Sequence, residues 1–194
     1  MSIFARRLAV IVSWIGHPLV FVTSTVGFVL VTQLPWHSAI VIGLTLLLSV
    51  VSPMALLLWL GFRSGRWRDA DLSIREERKR FFPIAIPILG LGTIIALLVK
   101  APSYVLRGQI ITLFLLLAAA MINGRSKVSL HTLFATYCTV IVLQVNAVSG
   151  VIACLLTILV FWSRLVLLRH SLGEALIGSA LGAAGGIAAA WLPV

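Results

Sequence analysis

The stretch SRLVLLRHSLGE at residues 163–174 places two arginines, a histidine and a carboxylate in an otherwise apolar part of the chain. Charged side chains beside a bilayer cost free energy unless they are paired or hydrated, so this stretch indicates a functional site. If the chain is helical from Arg169 onward, His170 and Glu174 lie four residues apart on one helix face. A carboxylate at that spacing can fix the imidazole tautomer and raise the basicity of the other ring nitrogen.

Two interpretations of this stretch are open. In the first, His170 is a nucleophile or general base, and the forked guanidinium of Arg164 binds a phosphate group. In the second, the stretch is a basic loop at the membrane surface, where the pair formed by His170 and Glu174 caps a helix.

The composition excludes a soluble domain. Of the 194 residues, 61% are hydrophobic and 10% are charged, and the mean hydropathy is +1.15. These values predict an all-α integral membrane protein. In such a protein, the formal net charge of +10 indicates contact with anionic lipid headgroups or an anionic substrate, and not with nucleic acid. Cys138 and Cys154 lie in apolar segments and form no recognisable metal motif.

The apolar runs predict a bundle of about seven transmembrane helices (six to seven) in a single membrane domain, residues 1–194, because one crossing needs about 20 apolar residues. The first run extends to Leu34, too long for a signal peptide, so it is expected to be a retained helix. Prolines predict kinks at His17-Pro18 and at Pro53. The predicted spans are Leu8–Leu34, Ser38–Phe62, Phe81–Val99, Tyr104–Ile122, two helices within Leu130–Trp162, and Ser171–Leu192.

The run Leu130–Trp162 is too long for one helix, and its polar centre at residues 144–150 predicts a turn. With that turn, the polar loops Arg63–Arg80, Asn123–Leu130 and Ser163–Arg169 fall on the same side as the N-terminus. The excess of Lys and Arg on that side predicts that it is cytoplasmic. The expected location is the bacterial inner membrane.

Two further features have alternative interpretations. His17 is either a structural histidine of the bundle interior or a catalytic one. Gly178, Gly182 and Gly186 recur at four-residue steps in the last span, which predicts close helix packing. That packing is expected within the bundle and not at a dimer face; the oligomeric state stays open.

The pattern Ser163-Arg164, five residues, His170, three residues, acid resembles the third signature of the type 2 phosphatidic acid phosphatase superfamily. That superfamily includes membrane lipid phosphatases and vanadium haloperoxidases. Its usual acid is Asp, and this chain has Glu174. The superfamily's second signature, Pro-Ser-Gly-His, is similar to Val128-Ser129-Leu130-His131, which retains the serine and the histidine.

The first signature, Lys, six residues, Arg-Pro, has no exact counterpart. Arg75 and Arg78 stand in its place; they would share a helix face, with Asp71 one turn back to pair with Arg75. Lys79 is a further candidate. The resemblance thus covers Arg75–Glu174. It divides the chain into two N-terminal helices, residues 1–62, and a core similar to the superfamily's, residues 63–194.

The resemblance implies a lipid phosphate phosphatase that uses no metal and no cofactor. His170, oriented by Glu174, would attack phosphorus and form a phosphohistidine, while His131 would protonate the leaving alkoxide and then activate water. The substrate would be a membrane lipid phosphate of the phosphatidic acid, phosphatidylglycerol phosphate or polyprenyl phosphate type. The expected phosphate ligands are Arg164, Ser129, Arg75, Arg78, Lys79 and Lys127.

Two other functions remain open. The chain could be a non-catalytic relative that binds anionic lipids or scaffolds partners, as its departures from the three signatures suggest. It could also be a small transporter, which predicts charges in mid-membrane. The charges here lie at the ends of the spans, and both histidines are retained, which favours the phosphatase.

Overall fold

The computed structural model describes residues 2–69 and 71–191, which form helices joined by loops and contain no strand. The all-α prediction is confirmed for this part of the chain. The end predicted for the last span, Leu192, lies outside it. The helices are α1 (Ile3–Ile15), α2 (Pro18–Gln33), α3 (Trp36–Leu46), α4 (Ser52–Arg63), α5 (Arg75–Leu98), α6 (Ser103–Ile122), α7 (Leu130–Val145), α8 (Ala147–Val166) and α9 (Leu172–Trp191).

Five helical segments of the described chain are long and apolar enough to cross a membrane. A sixth is counted if α1 and α2, which are bent by 51° at residues 16–17, are taken as one span. Helix α7 is apolar but shorter, with 16 residues. The segments follow the predicted order, and the predicted kink at His17-Pro18 is confirmed. The segments that meet the length criterion are fewer than the predicted seven because α7 is short.

The chain divides into two compact units. The first joins Met1–Thr25 to Ser126–Trp191, and the second comprises Val26–Arg125. The division drawn from the sequence at residues 62 and 63 therefore does not coincide with the boundary between the units. Helix α1, which lay outside the resemblance, belongs to the same unit as α7, α8 and α9 and packs against α8.

In the second unit, α3 and α4 form one continuous segment, Trp36–Arg63. A π-helical turn at Leu47–Val51 separates them, immediately before Pro53. Proline has no N–H to donate to the preceding turn, and a wider turn accommodates that loss. Gly92 of α5 packs against this turn, since a Cβ there would lie 2.2 Å from Cγ2 of Val50.

In the first unit, α7 and α8 form an antiparallel hairpin. The side chains of Thr139 and Thr157 are hydrogen-bonded at 2.7 Å, and Gly150 packs against Leu143. Asn146 ends α7 and caps α8, because its side chain accepts the Ser149 N–H at 2.9 Å. The turn predicted at residues 144–150 is confirmed.

Helix α9 runs parallel to α7 and packs closely against it. The glycines that recur at four-residue steps in the last span face α7: a Cβ at Gly178 would lie 2.5 Å from the Ser129 carbonyl oxygen, and one at Gly182 would lie 2.1 Å from that of Leu133. Gly186 meets Val140 in the same way, at 2.5 Å. The glycines therefore pack within the bundle, as expected, and bring the N-termini of α7 and α9 to the same end of the unit.

Helix α8 ends with a left-handed residue that reverses the chain. Leu168 has a φ of 54°, and its N–H donates to the Leu165 carbonyl at 3.0 Å, while the Arg169 N–H donates to the Arg164 carbonyl at 3.1 Å. These two bonds define a Schellman motif, in which glycine is the usual left-handed residue. The motif explains the five-residue spacing between Arg164 and His170, because the helix must end and turn within it.

We expect Leu168→Gly to stabilise the protein by about 1 kcal/mol, because a left-handed leucine is strained and a glycine is not. The side chain is 90% exposed, so its loss removes little packing. The neighbouring Leu167 has a right-handed conformation, so Leu167→Gly should be destabilising. Thermal unfolding in detergent measures both variants; a lower midpoint for Leu168→Gly would contradict the strain argument.

Candidate functional site

His170 and Glu174 form the pair that the sequence predicts. Nδ1 of His170 lies 3.0 Å from Oε2 of Glu174. The His170 side chain is fully buried, and that of Glu174 is 21% exposed. An ionised carboxylate accepts a hydrogen bond from the N–H at Nδ1, so the proton of the neutral ring stays on Nδ1 and the lone pair is on Nε2, the nitrogen that a nucleophile needs. His170 lies just before α9, so the pairing does not require the helix to extend to it.

Glu174 has a second role at the start of α9. Its Oε2 accepts the Ser171 N–H at 3.1 Å, and its own N–H donates to Oγ of Ser171 at 3.2 Å. This reciprocal pair is a capping box, which requires Glu or Gln at the third helical position. The helix cap of the second interpretation is therefore observed, and the same carboxylate contacts the imidazole. The nucleophile and phosphate-binding roles of the first interpretation stay predictions.

Ser129 caps α7, and its loop is joined to α9. Oγ of Ser129 accepts the Thr132 N–H at 3.4 Å, which leaves the hydroxyl proton available for donation. The Ser129 N–H donates to the Glu174 carbonyl at 3.2 Å, and the Thr132 hydroxyl donates to the Ala175 carbonyl at 2.9 Å. These bonds fix the loop before α7 against the first turn of α9.

Arg164 lies in the last turn of α8 and has no exposed surface. Its Nη1 donates to Oγ of Ser13 in α1 at 2.5 Å. Its carbonyl accepts the His170 N–H at 3.4 Å, which ties the arginine to the histidine that follows. A buried guanidinium is weakly screened by water, so it interacts strongly with an anion that enters the site.

His131 lies in the first turn of α7 and is 2% exposed. Its ring packs edge-to-face against that of His17, with centroids 5.5 Å apart and planes at 88°. His17 lies between α1 and α2 and is also buried. Two imidazoles are therefore in contact inside the first unit.

These contacts form a closed series within the first unit, which we call the polar circuit. Each member contacts the next, or lies two or four residues from it along the chain. Helices α7 and α9 point their positive N-terminal ends toward it, which favours an anion. Glu174 is the only carboxylate side chain in the sequence after residue 77. In order, the members are His170, Glu174, Ser129, His131, His17, Ser13 and Arg164.

Lys127 has a structural contact. Its Nζ donates to the Arg169 carbonyl at 2.7 Å, so it connects the segment before α7 to the segment between α8 and α9. A lysine bound to carbonyl groups at the end of a helix stabilises that end. The role as a phosphate ligand stays a prediction.

Arg75, Arg78 and Lys79, the candidates for the place of the first signature, lie in the second unit. Arg75 and Arg78 are both in α5, as expected. Nε of Arg75 donates to the Asn123 carbonyl at 2.6 Å, and Nε of the buried Arg78 donates to the Leu72 carbonyl at 2.8 Å. Lys79 is exposed. Phosphate contacts by these three residues stay a prediction.

The expected spacing of Asp71 and Arg75 is wrong. Helix α5 begins at Arg75, and its N-cap is Ile74 in an extended conformation. Asp71 lies in the preceding turn, so the two residues are not one helical turn apart.

Sequence reasoning missed one member of the polar circuit and left another undecided. Ser13 had no signal except that it is a small polar residue in an apolar helix. His17 was noticed, but no motif connects it to His131. Among the described residues, no group of three or more His, Cys, Asp or Glu side chains could hold a metal ion.

Comparison with known proteins adds nothing to this geometry: no protein-family model, curated protein or solved structure matches the chain.

Proposed function

We propose that this chain is a metal-independent lipid phosphate phosphatase that acts through a phosphohistidine, as its resemblance to the type 2 phosphatidic acid phosphatase superfamily implies. The observation that carries the proposal is the polar circuit. It brings the histidines, serine and arginine that resemble the second and third signatures into one unit, through contacts and short steps along the chain, with His170 paired to a carboxylate through Nδ1.

The first chemical step transfers the phosphoryl group to His170. Nε2 of His170 attacks phosphorus, the bond from phosphorus to the lipid oxygen breaks, and His131 gives its proton to the departing alkoxide. Arg164, the Ser129 hydroxyl and the N-termini of α7 and α9 stabilise the negative charge on the phosphoryl oxygens. The lipid alcohol then leaves.

The second step returns the enzyme to its starting state. His131, now neutral, takes a proton from a water molecule, and the oxygen of that water attacks phosphorus. The bond between phosphorus and Nε2 breaks, so inorganic phosphate leaves and His170 is regenerated. Glu174 holds the ring orientation in both steps.

A lipid is the substrate class that best fits the position of the site. Arg164 lies in the last turn of α8, and Glu174 lies in the first turn of α9; both helices are long and apolar enough to cross a membrane. Residues at the ends of such helices are at the depth of the headgroups. By the positive-inside rule, we assign these ends to the cytoplasmic face of a bacterial inner membrane.

A second function is a non-catalytic binder of anionic lipids. It is favoured by the structural contacts that several candidate residues make: Ser129 caps α7, Glu174 caps α9, and Lys127 binds a backbone carbonyl. A binder uses the basic residues but needs no oriented nucleophile.

The deciding experiment is phosphate release by the detergent-purified protein in EDTA, with phosphatidic acid, phosphatidylglycerol phosphate and polyprenyl phosphates as substrates. His170→Ala should abolish release. His37→Ala is the matched control, because His37 is exposed at the start of α3. Equal release by wild type and His170→Ala would exclude His170 as the nucleophile. If the folded wild type released no phosphate from any lipid, the binding function would be favoured instead.

A further inference from the structure

We propose that Ser13 and His17, at the break between α1 and α2, are positioning residues of this site. Ser13 orients Arg164. His17 orients His131 and keeps on His131 the proton that is transferred to the leaving alkoxide. This inference rests on the proposed function. It adds the N-terminal helix to the catalytic machinery, although that helix lies outside the resemblance.

The two residues form a polar face on an apolar helix. Ser13 is 4% exposed and His17 is 9% exposed. Their neighbours Ile11, Trp14 and Ile15 are more than half exposed. In a membrane, polar side chains that face the protein interior mark functional positions. The Ser13 hydroxyl contacts Arg164, and the His17 imidazole contacts His131, so each meets a residue that resembles the second or third signature.

The break in the helix is built around His17. Nδ1 of His17 accepts the Leu19 N–H at 3.3 Å, so the imidazole caps α2 ahead of Pro18, the first helical residue. Gly16 packs against α8, where a Cβ would lie 2.2 Å from Cγ2 of Val160. This close packing and the cap hold the imidazole inside the unit.

Ser13 determines the direction of the Arg164 guanidinium. The guanidinium is planar and rigid, so fixing Nη1 on the Ser13 hydroxyl at 2.5 Å also fixes the directions of its other N–H groups. A phosphate then meets an arginine that is already oriented and loses less conformational entropy on binding. The loss of the hydroxyl should therefore weaken phosphate binding more than it slows the chemical step.

His17 determines the protonation and orientation of its neighbour. Nδ1 of His17 accepts the Leu19 N–H, so the cap of α2 requires this nitrogen to carry no proton. Two adjacent imidazoles cannot both be charged without repulsion. The proton that catalysis needs is thus carried by His131, and the edge-to-face contact holds its ring in place.

Matched substitutions separate these roles from simple folding effects. Ser13→Ala removes the hydroxyl, and Ser13→Thr restores it. His17→Asn keeps a cap for α2 but removes the ring, whereas His17→Phe keeps a ring and removes the cap. The measurements are kcat and KM for the best lipid phosphate, the midpoint of thermal unfolding, and the increase of that midpoint with inorganic phosphate.

For Ser13→Ala we expect KM and the phosphate concentration needed for stabilisation to rise about tenfold, with kcat little changed and Ser13→Thr recovering both. For His17→Asn we expect kcat to fall about tenfold at constant KM and a normal unfolding midpoint. His17→Phe should recover most of kcat and unfold at a lower temperature. The more stable variant, His17→Asn, would then be the less active one. If His17 had only a structural role, activity would fall with stability.

The outcomes for this inference differ from those for the proposed function. If the wild type hydrolyses lipid phosphates and Ser13→Ala and His17→Asn match it in kcat and KM, the inference is overturned and the function stands. The inference is also overturned if activity only follows the amount of folded protein. If the wild type hydrolyses nothing, the proposed function fails. The role of Ser13 is then tested by the increase of the unfolding midpoint with inorganic phosphate. If inorganic phosphate stabilises Ser13→Ala less than Ser13→Thr, the role of Ser13 is supported. If it stabilises both variants equally, or neither, the inference is overturned.

Discussion

Replacing His131 with alanine is expected to slow hydrolysis of a lipid phosphate by about 10²–10⁴-fold, the range that general acid–base catalysis usually contributes. In the proposed mechanism the leaving group is a lipid alkoxide, which leaves poorly without a proton, so the first step would depend on the proton from His131. The second step depends on the same residue, since it must take a proton from water. Because Arg164 and His170 remain, KM should change much less than kcat.

An activated substrate separates the two steps in this variant. An aryl phosphate has a leaving group that departs without a proton, so His131→Ala should still phosphorylate His170. Attack by water should stay slow. We therefore expect a burst of about one phenol per protein molecule, followed by slow turnover. The trapped species is a phosphohistidine, which acid hydrolyses and alkali leaves intact.

Two further variants test this interpretation. His170→Ala should give no burst, because it lacks the attacking nitrogen. His37→Ala should behave as the wild type, because His37 is exposed and lies in the second unit. Wild-type turnover of lipid phosphate by His131→Ala would contradict the role of His131, and a burst from His170→Ala would contradict that of His170.

The sequence predicts those parts of the site that depend on short spacings. The pair of His170 and Glu174 requires only that two residues four apart approach each other, and a capping box makes them do so. The break at Asn146 follows from length, because the run Leu130–Trp162 exceeds one span. Both features are local, so they can be read from a single stretch of chain.

The rest of the site depends on contacts between distant segments, which no spacing reveals. Ser13 bonds to Arg164 across 151 positions of the chain, and His17 meets His131 only because α1 ends where it does. Lys127 has the charge of a phosphate ligand, yet its ammonium donates to a backbone carbonyl. Both uses are available to a basic residue in a loop, and its charge alone does not distinguish them.

The largest structural effect is expected at Gly182. Gly182→Ala should lower the free energy of unfolding by about 3 kcal/mol, because the new Cβ overlaps backbone atoms that cannot rotate away. It would lie 2.1 Å from the Leu133 carbonyl oxygen and 3.0 Å from the Tyr137 nitrogen. Relief requires α7 and α9 to separate, and the bond from the Ser129 N–H to the Glu174 carbonyl would be strained. Phosphate release should therefore fall together with stability.

Gly90→Ala is the matched control, since Gly90 is also inside a membrane-length helix and a Cβ there meets nothing within 4 Å. Alanine favours a helix over glycine by about 1 kcal/mol, so this variant should be slightly more stable than the wild type. Unfolding midpoints in detergent compare the two substitutions directly. A higher midpoint for Gly90→Ala and a lower one for Gly182→Ala would show that the loss at Gly182 comes from the contact between helices and not from the helix propensity of alanine. If Gly182→Ala were as stable as Gly90→Ala, the close packing of α7 on α9, which joins the Ser129 loop to the first turn of α9, would be wrong.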